Sequence, residues 1–167
     1  MAATDDVVKT FTSLMGELDY PMFIVTTVAD DGERSGCLIG FATQISIEPP
    51  RFLTGLSNKN RTYRVARRAE YLGVHFVPAD GEELAELFGG EAGDEVDKFA
   101  RCEWHEGPHG VPIVAGLPNW FVGRIVERRV AGDHDAIILE PVGGERQAEE
   151  EEFTFHRAKR IEPGHEP

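Results

Sequence analysis

Short runs of β-branched and aromatic residues, each cut off by a turn signal, recur along most of this chain. That pattern constrains the fold more than any other feature of the sequence. Phe23-Ile24-Val25-Thr26-Thr27-Val28 is followed by Asp30-Asp31-Gly32, and Gly36 to Ala42 reads as the return strand of a hairpin. Gln44-Ile45-Ser46-Ile47 is extended up to Pro49-Pro50, which cannot donate ladder hydrogen bonds and so marks an edge or a corner. Arg51 to Leu56 and Tyr71 to Val77 are further strands, the second ended by Pro78. Trp120 to Val130 and Asp135 to Val142 flank a turn at Ala131-Gly132-Asp133. Many short strands with frequent turns predict a mainly β fold, closed or sandwiched.

The helices are expected at the periphery. Val7, Val8, Phe11, Leu14, Met15 and Leu18 follow helical spacing, with Thr4 as the cap and Asp5 and Asp6 in the first turn. Arg61 to Glu70, Gly81 to Phe88 and Asp94 to Phe99 read as short helices. Residues 101–118 are rich in Gly, Pro and His and predict a loop with one extended piece at Ile113-Val114. Gly143 to Glu152 ends in four glutamates and predicts a solvated loop. Phe153-Thr154-Phe155 is expected as a last strand or packed on the body, and Glu162 to Pro167 as loose.

The chain has 167 residues, which fits one domain, and a formal net charge of −13. Such a surface repels phosphate backbones, which argues against nucleic acid and anionic membranes as partners. No apolar run approaches the ~20 residues of a membrane span. The acidic N-terminus lacks an apolar signal core, and two cysteines, Cys37 and Cys102, do not make a disulfide framework, so the expected location is the cytoplasm. Cys102, His105 and His109 have donor chemistry suited to zinc, but no fourth ligand is evident, so no metal site is expected. A nucleophile elbow, a phosphate-binding Gly-x-x-x-x-Gly-Lys loop and a dinucleotide Gly-x-Gly-x-x-Gly motif are all absent from the sequence.

The run from Gly36 to Phe52, with Ser46-Ile47-Glu48-Pro49-Pro50 at its most specific point, resembles the signature of the flavin reductase-like family of FMN-binding split barrels. Supporting pieces occur in family order over residues 18–142. Pro21-x-x-Ile24-Val25-Thr26-Thr27 resembles the first strand and Ser57-x-x-Asn60-x-Thr62 the phosphate loop. Asp97-Lys98-Phe99 resembles a flavin-side segment, and Gly132-Asp133-His134 the turn before the last barrel strand. Three places depart from the family pattern: Leu38, Gly40-Phe41 and Thr43-Gln44 stand where many members have Thr, Asn-Ser and Thr-Ser. The resemblance implies a split β-barrel with Greek-key-like connections and short peripheral helices over residues 1–145. An acidic, partly flexible segment is expected over residues 146–167.

The resemblance further implies reduction of FMN or FAD by NADH or NADPH, a homodimer, and a monooxygenase partner that consumes the reduced flavin. Thr43, Gln44 and Ser46 are then expected at the flavin ring. Ser57, Lys59, Asn60, Arg61 and Thr62 are expected at the phosphate, where helix-start amides and cations form an anion site. Phe99 is expected beside the flavin, and His134 is expected to orient the nicotinamide. On the residues alone each has a plainer reading as a strand, turn, helix-entry or core residue. Two alternatives to a flavin reductase also stay open. One is a barrel that retains its flavin, or uses a deazaflavin, to reduce another acceptor. The other is a non-catalytic flavin- or haem-binding module.

Overall fold

The structure, a computed structural model, describes residues 2–164. In chain order it contains α1 (Asp5–Glu17), β1 (Phe23–Val28), β2 (Arg34–Ile39), β3 (Ala42–Ser46), β4 (Arg51–Ser57), α2 (Arg61–Ala66), β5 (Tyr71–Phe76) and α3 (Glu82–Gly90). After a 3-10 turn at Lys98–Ala100 come β6 (Trp104–Glu106), β7 (Pro112–Val114), β8 (Asn119–Val130), β9 (His134–Arg146) and α4 (Phe155–Ala158). Seven strands form one antiparallel sheet in the order β2-β1-β5-β8-β9-β4-β3, and β6 and β7 form a separate hairpin. The strands at the two ends of that order, β2 and β3, are joined by only Gly40 and Phe41. So short a link requires the sheet to roll until its ends meet, which makes the expected split barrel.

Alternation along the strands sorts the core into two layers. Phe23 and Val25 of β1 point inward with Cys37, Ile39, Leu56, Leu72, Val74, Ile137 and Leu139. Ile24, on the opposite face, packs with Phe88, Phe99, Leu117 and Phe153 outside the barrel. Both faces of β1 are therefore buried, which is why its sequence reads as a continuous apolar run rather than an alternating one. α1 behaves differently: none of its residues is buried, and its apolar stripe is exposed, with Phe11 at 60%.

The β6–β7 hairpin covers the outer face of β5 and fixes His75 in the core. The ring Nδ1 lies 2.9 Å from the Ile24 carbonyl, and Nε2 accepts the Val114 N–H at 3.0 Å. Burial, with a smaller contribution from nearby His105, pushes this histidine from its ordinary value of 6.5 down to about 4. Between those values the unfolded chain binds a proton that the folded chain refuses. Stability is therefore expected to fall as pH drops from 6.5 to 4, by about 3 kcal/mol from this one group. Urea unfolding across that window checks it: a His75→Gln variant should lack this share of the loss, and an unchanged slope in the variant contradicts the assignment.

Several expected boundaries shift. Of the helix expected over Asp94 to Phe99 only the 3-10 turn forms, capped by Asp97, because Asp94 pairs instead with Arg64 at 2.5 Å. The stretch expected as loop from residue 143 continues β9 to Arg146. Thr4 precedes α1 in extended conformation but makes no side-chain cap. Within the acidic segment expected to be partly flexible, Phe153 is fully buried, its carbonyl accepts from Met22 N–H at 2.9 Å, and its N–H donates to Val77 at 2.8 Å. Of the two expectations for Phe153-Thr154-Phe155, it is packing on the body that forms, with single bridges at Pro21–Thr154 and Pro78–Glu152 followed by α4. Of the tail expected to be loose, residues 165–167 lie outside the described residues. Among the described residues no helix is long and apolar enough to cross a membrane.

Candidate functional site

The two-residue link that closes the barrel also opens a cavity. At Gly40 and Phe41 the chain crosses from β2 to β3, with the Ala42 N–H on the Gly40 carbonyl at 3.0 Å and the Gly55 N–H on the Phe41 carbonyl at 2.6 Å. The adjoining cavity measures about 230 Å³. Its lining includes the apolar and aromatic Tyr20, Met22, Phe41 and Phe155 and the polar Ser57, Asn60 and His134. Gly40 is required by close approach: a Cβ there would lie 2.6 Å from Tyr20 Cε2. Gly55 meets the same limit, since its Cβ would lie 3.0 Å from Phe41 Cβ.

Strand register explains how distant motifs converge here. Ser57, the last residue of β4, pairs with His134, the first of β9. Asn58 N–H donates to the Asp133 carbonyl at 2.9 Å, which ties the loop after β4 to the turn before β9. His134 is partly exposed, its Nδ1 lies 2.8 Å from Asp133 Oδ1, and its ring centre lies 5.0 Å from that of Phe41. The imidazole beside it holds the Asp133 carboxyl below the usual carboxylate range. Asn60 caps α2, its Oδ1 accepting the Thr62 N–H at 2.9 Å. Cys37 also borders the cavity, but burial pushes its thiol up, so at neutral pH it is a packing group rather than a nucleophile.

A narrower crevice of about 40 Å³ shares Leu38 and Asn60 with the cavity and is lined by Lys59, Arg61 and Lys98 as well as Glu91 and Asp94. Both acids are engaged by arginines, Asp94 by Arg64 and Glu91 by Arg101 at 3.5 Å. Lys98 is 5% exposed, and its ammonium donates to the carbonyls of Phe88 at 2.8 Å and Gly36 at 3.1 Å. It thus satisfies an orphan carbonyl in the last turn of α3 and pins that helix to β2.

Of the residues singled out from the sequence, Ser57, Asn60 and His134 line the cavity and Lys59 the crevice beside it. Arg61 lines the crevice as well, and the others lie elsewhere. Thr43, Gln44 and Ser46 sit on β3, an end strand of the sheet. There the hydroxyl of Thr43 donates to the Gln44 carbonyl at 3.4 Å, and the amide of Gln44 to the Ser46 carbonyl at 3.2 Å. The Thr43 and Gln44 side chains close on neighbouring backbone, and neither they nor Ser46 line the cavity. Arg61 touches the crevice, but its guanidinium is held by Glu33 at 3.0 Å and the Gly93 carbonyl at 2.6 Å. Thr62 is fully buried, 2.9 Å from the Ser35 hydroxyl. Phe99 is a core residue, edge-on to Phe88 and Trp104. His109 stacks on Tyr71, and among the described residues no group of three or more His, Cys, Asp or Glu is placed to hold a metal ion.

Sequence reasoning missed the aromatic side of the cavity. The signal for Phe41 was present, because Gly40-Phe41 departs from the family pattern at this point. Tyr20 and Phe155 stack at 4.7 Å across 135 residues of sequence, and no local pattern announces such a pair.

Residues 15–162 match the family model of the flavin reductase like domain. The FMN reductase (NADH) RutF of Ancylobacter novellus is 30% identical over 133 residues, 80% of this chain and 72% of that protein. The reductase subunit HsaB of a flavin-dependent monooxygenase from Mycobacterium tuberculosis is 27% identical, over 78% of this chain and 67% of that protein. Among solved structures, the NADH:FAD oxidoreductase of Streptomyces globisporus superposes with a TM-score of 0.80 at 21% identity, covering 93% of this chain and 92% of that one. This likeness shows the fold.

Proposed function

This chain belongs to the flavin reductase-like family, and we propose that it reduces FMN or FAD with NADH or NADPH in the cavity between Gly40 and His134. The observation that carries the reading is that Ser57, Asn60 and His134 line one cavity with Tyr20, Met22, Phe41 and Phe155, beside Gly40 and Gly55, where a Cβ would collide with the aromatic lining. A flavin ring has a polar edge and an apolar edge, and a cavity lined by both polar and aromatic side chains offers partners for both. A flavin held there would supply the hydride acceptor for the nicotinamide donor.

The chain's own residues bind and orient. Tyr20, Met22 and Phe155 cover the apolar edge and exclude water. Ser57 and Asn60 hydrogen-bond the polar parts, and Lys59, at the adjoining crevice, attracts the phosphate in a chain of charge −13. His134, steadied by Asp133, aligns the nicotinamide against the flavin. Misalignment of reacting rings costs up to ~100-fold in rate. His134→Asn is therefore expected to slow anaerobic flavin reduction substantially while FMN affinity stays nearly constant. An unaltered rate returns His134 to a strand-turn residue.

The same reading includes a homodimer and a monooxygenase as consumer of the reduced flavin. The exposed apolar stripe of α1, together with Ile47 at 84% exposure, supports a subunit contact, which light scattering tests. The name of the HsaB relative supports the monooxygenase. Two free thiols support a cytoplasmic setting.

A further inference from the structure

Phe41 is the exposed member of the cavity's aromatic wall. It is 59% exposed, yet its position is fixed by the Gly55 N–H bond to its carbonyl and by the missing Cβ of Gly55 beneath its own. Tyr20 and Phe155 each use one face on the other, stacked 4.7 Å apart and within 10° of parallel. Phe41 makes no such pair: its neighbour is the His134 ring, tilted by 55° at 5.0 Å.

Size sets the second condition. Pockets that enclose a whole ligand run ~300–1,000 Å³, and this cavity is about 230 Å³. Hydride transfer needs two flat rings face to face, with the reacting atoms ~3–3.5 Å apart. The cavity houses one ring system, so the second lies at its mouth, where Phe41 and His134 stand.

We propose that Phe41 adds an aromatic face beside the nicotinamide position already read at His134, and that Phe41 thereby sets donor affinity rather than flavin affinity. This rests on the reading of the cavity as the flavin site. Stacking on an aromatic side chain favours a flat ring over solvent, and loss of that face is expected to raise the KM for NADH or NADPH about 10-fold in Phe41→Ala. Phe41→Leu keeps bulk but removes the π face and should behave like Phe41→Ala, whereas Phe41→Tyr should behave like the wild type.

The test combines three readouts on the full chain: donor KM, flavin affinity by fluorescence quenching, and the charge-transfer absorbance of the nicotinamide–flavin complex under anaerobic conditions. The proposal expects a raised KM, flavin affinity within about 3-fold of wild type, equivalent to ~0.7 kcal/mol, and a weakened charge-transfer band that Phe41→Tyr restores. Loss of flavin affinity at unchanged donor KM overturns it and assigns Phe41 to the flavin wall. Dissociation of subunits at unchanged donor KM overturns it and makes Phe41 a subunit contact, and a Phe41→Ala protein identical to wild type in every readout overturns it outright. Wild-type protein that transfers no hydride overturns this proposal together with the flavin reductase reading. Normal wild-type transfer with an unchanged variant overturns this proposal alone.

Discussion

Replacing Phe153 with alanine is expected to destabilise the protein by about 3–5 kcal/mol, the range for a fully buried phenylalanine that leaves a cavity behind. Phe153 has no exposed surface and sits among Ile24, Val77, Phe88 and Leu117. The Arg157 guanidinium covers its ring at 4.6 Å. Its backbone joins Met22 to Val77, so the side chain and the two hydrogen bonds hold the same three segments together. Loss of the ring also loosens Thr154 and Phe155, which follow directly and carry one aromatic wall of the cavity. Guanidinium unfolding of Phe153→Ala checks the magnitude, with Glu150→Ala as a surface control expected within about 0.5 kcal/mol of wild type. Equal stability of the two variants contradicts an integral C-terminal segment.

The second large effect is expected at Gly40. A leucine there places its Cβ 2.6 Å from Tyr20 Cε2 and near the Met22 sulfur, where glycine now leaves the chain close to the cavity. Either Tyr20 leaves its stack on Phe155 or the new side chain fills the cavity itself. Overpacking of this kind costs ~1–3 kcal/mol of stability, and a leucine that fills the cavity competes with the flavin for the same space, so flavin affinity is expected to fall by more than about 10-fold. Gly40→Leu that folds and binds FMN like the wild type, by fluorescence titration, would place the flavin elsewhere.

The sequence made legible whatever depends on neighbours along the chain. β1 was readable to the residue because its β-branched run ends at a strong turn, Asp30-Asp31-Gly32. Ser57 and His134 were readable because each stands next to a loop motif, although their direct pairing across β4 and β9 appears only in the register. Partner choice was not readable. Gln44-Ile45-Ser46-Ile47 alternates as a strand should, but alternation does not say whether the polar face meets a ligand or solvent, and β3 turns out to be an end strand. Phe99, expected beside the flavin, and its neighbour Lys98 turn inward for a related reason. Asp97 caps a 3-10 turn that drives both side chains inward, one onto carbonyls and the other into the core. Phe155 lay beyond four glutamates that signal solvent, and only long-range pairing draws the chain after them back to β1 and β5.

The central claim is hydride transfer to a flavin held in the cavity at the β2–β3 link. It is tested most directly by mixing the protein with FMN and C4-deuterated NADH or NADPH in the absence of oxygen and following the flavin absorbance. The account predicts bleaching of the flavin with a primary isotope effect for one face of the nicotinamide, abolished or strongly slowed by Gly40→Leu. A flavin that binds but stays oxidised with both donors contradicts it.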